Sequence, residues 1–391
     1  MSRLLFVLPS VPAPLDAGAR IRNNGLLKLL GAEHQVDAIA FGGPESAEAL
    51  GRLTRRASVV PLPPTRSPMR RAVDMATTGL PDMALRLWSA AFEQALQCTL
   101  ESAAYDAVQA EGIEMAGYLD AVPPARRIYD AHNAEFLLQR RAAETATTLA
   151  ARLYSRVQWR RLERFERQIV RQARMTLAVS QHDANQLVAL AGLQANVQVV
   201  PNAIDVTAYP FVAPAEDVAP NLLFVGKLDF RPNAQAVRWF VDNVLSAVKH
   251  VRLFAVGSAP PRWLVEAGQH DERIAVTGHV PDERPYLRRC AALVLPVHAG
   301  GGSRLKALVA MASGLPIVST RFGMEGLDAE PETHYLLAES AEEWLASLRR
   351  VLGDAALRQH LALNGRRLVE ERYDWSALRP EVTQAYASLG S

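Results

Sequence analysis

Cysteine is nearly missing. The 391 residues include two, Cys98 and Cys290, neither at metal-ligand spacing, which excludes a disulfide framework and makes both read as ordinary buried thiols of a reducing compartment. An excess of one charge is missing as well. Forty-three basic residues against 41 acidic ones leave a net charge of +2, which argues against a chain devoted to nucleic acid. The apolar start, Arg3-Leu-Leu-Phe-Val-Leu-Pro9, is too short and too soon ended by proline for a signal peptide or a membrane span, so a cytoplasmic location is expected. No Gly-x-Gly-x-x-Gly follows that first strand pattern, which disfavours a nicotinamide-dependent oxidoreductase.

What is present is a chain long enough for two domains, 49% hydrophobic, in which apolar strand patterns alternate with helical ones. Leu4 to Leu8 fits a buried parallel strand. The loop Pro9 to Gly18 leads to helical spacing over Ile21 to Leu30, and Val36 to Phe41 is the next strand, so the chain opens with a right-handed βαβ unit. Val59 to Leu62 reads as a further strand, and Arg66 to Arg71 as a basic connection broken by proline. Two later strands, ending in Glu111 and in Asp130-Ala-His132-Asn133, deliver polar residues to what is expected to be one carboxyl edge. His132 is a candidate functional residue because it follows a buried strand at that edge.

From Leu149 to Arg174 arginines recur every three or four residues along one helix face, with Leu149, Leu153, Val157, Phe165 and Ile169 expected on the others. Two readings of that face stay open: an anionic membrane surface as partner, or a solvated face paired with acids such as Glu163 and Glu166. Tyr209 to Pro220, with three prolines, reads as an interdomain linker. The strand pattern then restarts at Leu222-Leu-Phe-Val-Gly226, predicting a second parallel sheet.

The stretch from Pro296 to Gly323 is the densest in chemistry. It reads as strand, loop Gly300-Gly301-Gly302, helix, strand; Ser303 is placed to cap the helix and Gly314-Leu-Pro316 to stop it. A helix start preceded by glycines and flanked by Arg304 and Lys306 makes an anion site, since free N–H groups, helix dipole and two cations point the same way.

Four blocks in order, Asp130-Ala-His-Asn-Ala-Glu135, Val200-Pro-Asn-Ala-Ile-Asp205, Phe224-Val-Gly-Lys-Leu-Asp-Phe-Arg-Pro-Asn233 and Gly300-Gly-Gly-Ser-Arg-Leu-Lys306 with Ala310-Met-Ala-Ser-Gly-Leu-Pro-Ile-Val-Ser319, together resemble family 4 of the retaining glycosyltransferases. The resemblance spans nearly the whole chain. It implies an α/β protein of GT-B architecture, two Rossmann-like domains facing a cleft. Residues 1–205 would form the acceptor domain and 206–370 the nucleotide-sugar domain, with 371–391 returning to the first. It implies a hexosyltransferase-type enzyme, as in polysaccharide biosynthesis, that takes a nucleoside-diphosphate sugar as donor substrate and a glycan, lipid or small molecule as acceptor. Carried over residue by residue, it makes His132, Lys227 and Arg231 catalytic. Gly18, Gly300, Gly301, Gly302, Ser303, Arg304 and Lys306 become donor-binding, and Glu111 and Asn133 acceptor-binding. No cofactor or metal is implied, and the chain has no Asp-x-Asp. One departure stands out. Val309 occupies the place of the family's second glutamate, whose carboxylate accepts hydrogen bonds from the ribose hydroxyls. Valine accepts none, which leaves open weaker donor binding, a ribose held elsewhere or lost activity. Glu325 is the nearest carboxylate in sequence that could serve instead.

Overall fold

The continuous apolar runs form two all-parallel sheets in a computed structural model that describes residues 1–144, 148–298 and 304–387. The chain divides into two units, Met1–Asn202 with the segment from Leu378 onward, and Ala203–Ala377.

In the first unit the strands are β1 Arg3–Leu8, β2 Gln35–Phe41, β3 Arg56–Val60, β4 Ala107–Glu111, β5 Arg127–Ala131, β6 Met175–Ala178 and β7 Val197–Val199, in the order β3-β2-β1-β4-β5-β6-β7. The order reverses between β1 and β4, which pair in parallel at Leu4 with Ala107. A reversal of this kind opens a crevice at the carboxyl ends of the strands, and Glu111 is the last residue of β4. The second unit contains β8 Asn221–Val225, β9 Arg252–Val256, β10 Ile274–Gly278, β11 Ala292–Leu295, β12 Ile317–Ser319 and β13 Leu336–Leu337, in the order β10-β9-β8-β11-β12-β13. Its reversal lies between β8 and β11, so the chain after Val225 and the chain after Leu295 leave the sheet side by side. Its largely aliphatic core includes Phe240 and Trp344, edge to face at 5.4 Å.

Several local expectations are corrected. Residues 68–77 form a helix, Pro68–Thr77: proline in the first turn lacks only an N–H that would be unpaired anyway, and Ser67 Oγ accepts from Arg70 N at 3.2 Å. β3 begins at Arg56 and stops before Pro61. On the helix Leu149–Gln172, Leu149 and Leu153 share the exposed face with the arginines instead of lying elsewhere. Glu166 pairs with no arginine among the described residues; it is buried, accepts from Tyr129 Oη at 3.1 Å and Phe136 N at 2.8 Å, and burial pushes its carboxyl up to about 8. Glu163 does face Arg167, at 3.5 Å. The proline-rich 209–220 segment is held within the second unit, where Arg366 donates to Tyr209 O at 2.8 Å and Arg358 to Ala215 O at 3.0 Å. No described helix is long and apolar enough to cross a membrane.

Candidate functional site

The first unit gathers buried charge at the carboxyl ends of β4 and β5. Arg22, on the helix Gly18–Gly31, is 1% exposed and grips Asp130 with two hydrogen bonds, Nε to Oδ2 at 2.8 Å and Nη2 to Oδ1 at 2.7 Å. Its remaining nitrogen donates to Val200 O at 2.8 Å and Pro201 O at 3.1 Å, so one guanidinium ties the first helix to β5 and to the chain after β7. Beside this pair, Glu111 accepts from Gln109 Nε2 at 2.6 Å and, with the amide of Asn23 turned to donate, from Asn23 at 2.7 Å. Tyr386, from the last helix, donates its hydroxyl to the oxygen of the Gln109 amide. His132 Nε2 lies 3.2 Å from Glu111 Oε2 and 3.8 Å from Asp130 Oδ2, with 18% of its side chain exposed. Glu111, Asp130 and His132 form a group with metal-compatible spacing, but Arg22 already occupies both Asp130 oxygens.

The electrostatics follow from burial and pairing. Burial pushes the Glu111 carboxyl up to about 7, with the charge of Asp130 adding to it. Burial would also raise Asp130, but the Arg22 guanidinium outweighs it and holds that carboxyl below its ordinary value. For His132, burial opposes the charged form; the hydrogen bond to Glu111 and the charge of Asp130 outweigh it and lift the imidazole above its ordinary pKa. Glu111, raised to about 7, and His132, raised above its ordinary value, thus form a hydrogen-bonded acid–base pair.

The second unit gathers cations where β8 and β11 end. After Val225 the chain turns at Gly226, φ +142°, where a Cβ would stand 3.0 Å from Asn233 Nδ2 and 3.3 Å from Lys306 Nζ. Glycine therefore permits the close approach of backbone, amide and ammonium. Lys306 lies in the first turn of the helix Leu305–Ser313 and donates from Nζ to Asn233 Oδ1 at 2.9 Å, over the Phe224 ring at 5.3 Å. Asn233 in turn donates to Lys227 O at 2.8 Å. Burial, with the nearby Arg304 charge, lowers the Lys306 ammonium to about 8. Arg304 occupies the N-cap position expected of Ser303, and its Nε donates to Glu325 O at 3.1 Å.

The structure brings His132 and Glu111 into one cluster and Lys306 and Arg304 near one another in the other. Asn133 is half-buried and donates to Glu135 Oε1 at 2.9 Å. Lys227 and Arg231 are exposed; Lys227 Nζ lies 3.6 Å from Asp229, and Arg231 opens the helix Arg231–Asn243. Gly18 is the first residue of its helix. Val309 is 3% exposed in the helix interior, and Glu325 Oε2 is 3.7 Å from Arg304 Nη2. Gly300, Gly301, Gly302 and Ser303 lie outside the described residues. Sequence reading missed Arg22, whose partner is 108 positions away. The available signal was weak: Arg22 and Asn23 interrupt a helix that is otherwise apolar on its buried side. Asn233 was visible within its motif, but its bond to Lys306 spans 73 positions.

The family model described as Glycosyltransferase Family 4 matches residues 23–208, and that described as Glycosyl transferases group 1 matches residues 219–354. Sucrose-phosphate synthase of Thermosynechococcus elongatus shares the fold with a TM-score of 0.75 at 19% identity, over 100% of this chain and 99% of that one. The chain is a glycosyltransferase of the GT-B type. HepE of Anabaena, solved with UDP and glucose, superposes on this glycosyltransferase with a TM-score of 0.69 at 15% identity, covering 99% of this chain and all of HepE. WaaG, a glycosyltransferase involved in lipopolysaccharide biosynthesis, does so with a TM-score of 0.66 at 15% identity, over 98% of this chain and 99% of WaaG. No curated protein sequence matches the glycosyltransferase.

Proposed function

We propose that the protein transfers a sugar from a nucleoside-diphosphate sugar to a glycan, lipid or small-molecule acceptor, with retention at the anomeric carbon. The observation that carries this reading is Lys306, a half-buried ammonium whose hydrogen-bond partner among the described residues is the neutral amide of Asn233. A half-buried cation with only an amide as partner favours an anionic ligand. The solved HepE complexes with UDP and with UDP-glucose support a nucleotide-sugar donor.

Breaking the bond between the anomeric carbon and the phosphate oxygen leaves the electron pair on the departing diphosphate. Cations fixed before the reaction stabilise that charge as it develops. Lys306 and Arg304, with the more exposed Lys227 and Arg231, fill this role in the second unit, so no metal ion is required for it. In the first unit the catalytic role that the family resemblance gives falls to His132, which Glu111 orients. Retention follows when the acceptor hydroxyl attacks on the face the diphosphate leaves, its proton passing to the departing phosphate, and this needs no protein nucleophile. The decisive experiment is a panel of nucleotide sugars assayed for slow donor hydrolysis by product analysis and for nucleotide binding by calorimetry. Neither binding nor hydrolysis with any donor would end this reading.

A second reading, a sugar-nucleotide-binding partner with little or no turnover, is favoured by Val309, which stands buried where a ribose-binding carboxylate is expected. Val309→Glu separates the two. A gain in nucleotide affinity together with turnover marks the missing carboxylate as what limits this chain; flat affinity and turnover remove the motive for the second reading.

A further inference from the structure

The arginine-rich helix is not one uniform basic face. Toward its end, arginines are engaged by the protein: Arg167 Nε donates to Leu190 O at 3.2 Å and Arg171 Nε to Ala191 O at 2.7 Å, binding the terminal carbonyls of the helix Gln181–Ala191. Toward its start the face changes character. Steps of three and four residues place Leu149, Leu153, Arg156 and Arg160 on one side, opposite Gln158 and Leu162, which are buried. Leu149 is 83% exposed and Leu153 64%.

The helix Pro68–Thr77 lies against this same half. Arg71 Nη2 donates to Tyr154 Oη at 2.9 Å, and Arg161 Nη2 to Met75 O at 2.7 Å. It too is exposed and apolar where it faces outward, with Met69 76% exposed and Val73 47%. Of the 15 large hydrophobic side chains exposed among the described residues, eight fall within residues 62–88 and 149–154, which singles this region out. Residues 148–164 carry five arginines against one glutamate in a chain of net charge +2, while the four arginines of residues 62–88 lie against Asp74, Asp82 and Glu114.

We propose that these two helices dock the protein on an anionic lipid bilayer, with Met69, Val73, Leu149 and Leu153 entering the interface and the surrounding arginines meeting the headgroups. The apolar residues alternate with arginines within single turns, whereas the core of a protein–protein interface is depleted of charge. A bilayer surface accepts both at once, apolar side chains at the acyl boundary and cations among the phosphates.

Flotation of the full chain, without donor or acceptor, on phosphatidylcholine vesicles and on vesicles containing phosphatidylglycerol tests the proposal independently of the transferase reading. The expected result is recovery about tenfold higher on the anionic vesicles, falling as salt is raised. Leu149→Glu/Leu153→Glu and Arg156→Glu/Arg160→Glu are each expected to reduce recovery to the level seen on neutral vesicles while leaving the melting temperature unchanged, since all four side chains point to solvent. Equal recovery on both lipids, flotation of both variants like wild type, or a concentration-dependent dimer that the leucine variant dissolves would each overturn it.

Discussion

The ends of β4 and β5 in the first unit and of β8 and β11 in the second both collect charge, but they neutralise it differently. In the first, Asp130 has Arg22, and Glu111 has Gln109, Asn23 and His132, so the charged groups carry their own partners. In the second, Arg304 has Glu325, while Lys306 has only a neutral amide as hydrogen-bond partner among the described residues. A cluster that is closed in the free protein fixes geometry. A cluster in which a half-buried ammonium has only an amide as partner favours a ligand of the opposite sign. On the function proposed above, the contrast gives Arg22 and Asp130 a structural duty and Lys306 the ligand.

The largest expected effect comes from breaking the closed cluster. Arg22→Met leaves Asp130, which is 0% exposed, without its guanidinium, and removing one partner of a buried pair costs about 3–5 kcal/mol. A lowered denaturation midpoint reports it. Lys306→Met removes a half-buried cation whose hydrogen-bond partner among the described residues is an amide, so its midpoint is expected to stay level or rise. If the two variants are destabilised equally, the clusters are of one kind and the contrast is lost.

Next in size is the effect of Lys306→Met on ligand binding. A hydrogen bond to a charged group such as this ammonium is worth about 1.5–3 kcal/mol, or roughly 10–100-fold in the dissociation constant of a nucleoside diphosphate. The pH dependence sharpens this. The free Lys306 is held down to about 8, below its ordinary 10.5, so the empty protein loses that proton as pH rises through about 8 and affinity weakens above it. Calorimetry near pH 8 in buffers of different ionisation enthalpy is expected to register proton uptake by the wild type and none by Lys306→Met. Identical proton counts would remove Lys306 from the anion site.

Much of this fold was legible because parallel strands buried on both faces leave a plain trace, as in Leu4 to Leu8 and Leu222 to Val225. The edge positions of Glu111, His132 and Gly226 followed from where those runs stop. What stayed hidden depended on contacts between distant segments. Nothing local to Arg22 announces Asp130, and nothing local to Asn233 announces Lys306. The helix Pro68–Thr77 was obscured by a proline that sits at the one place a helix tolerates it. The helix Ala341–Gly353 opens on a capping box from Ser340 to Glu343, a local pattern that the reading of the sequence passed over.

The smallest predicted effect tests whether the closed cluster holds a proton near neutrality. Glu111 has a folded pKa of about 7 against an ordinary 4.5, so between those values the folded protein keeps a proton that the unfolded chain has released. Stability therefore falls as pH rises across that window, with a slope of at most about 1.4 kcal/mol per pH unit for one proton. His132, raised above 6.5, acts in the same direction: its contribution is full below 6.5 and is lost as pH climbs through its folded value. Asp130, lowered below 3.8, acts the opposite way and outside this window, losing its contribution only as pH falls. Glu166, raised to about 8, and Glu135, raised to about 7, act in the same direction, so thermal melts from pH 5 to pH 8 are expected to show a falling slope that Glu111→Gln reduces by up to one proton's share without abolishing. His132→Gln removes a hydrogen bond that favours the Glu111 carboxylate, so it carries the falling slope to higher pH instead. Should Glu111→Gln melt in parallel with wild type across the range, the proton resides elsewhere, and this cluster would position His132 without tuning it.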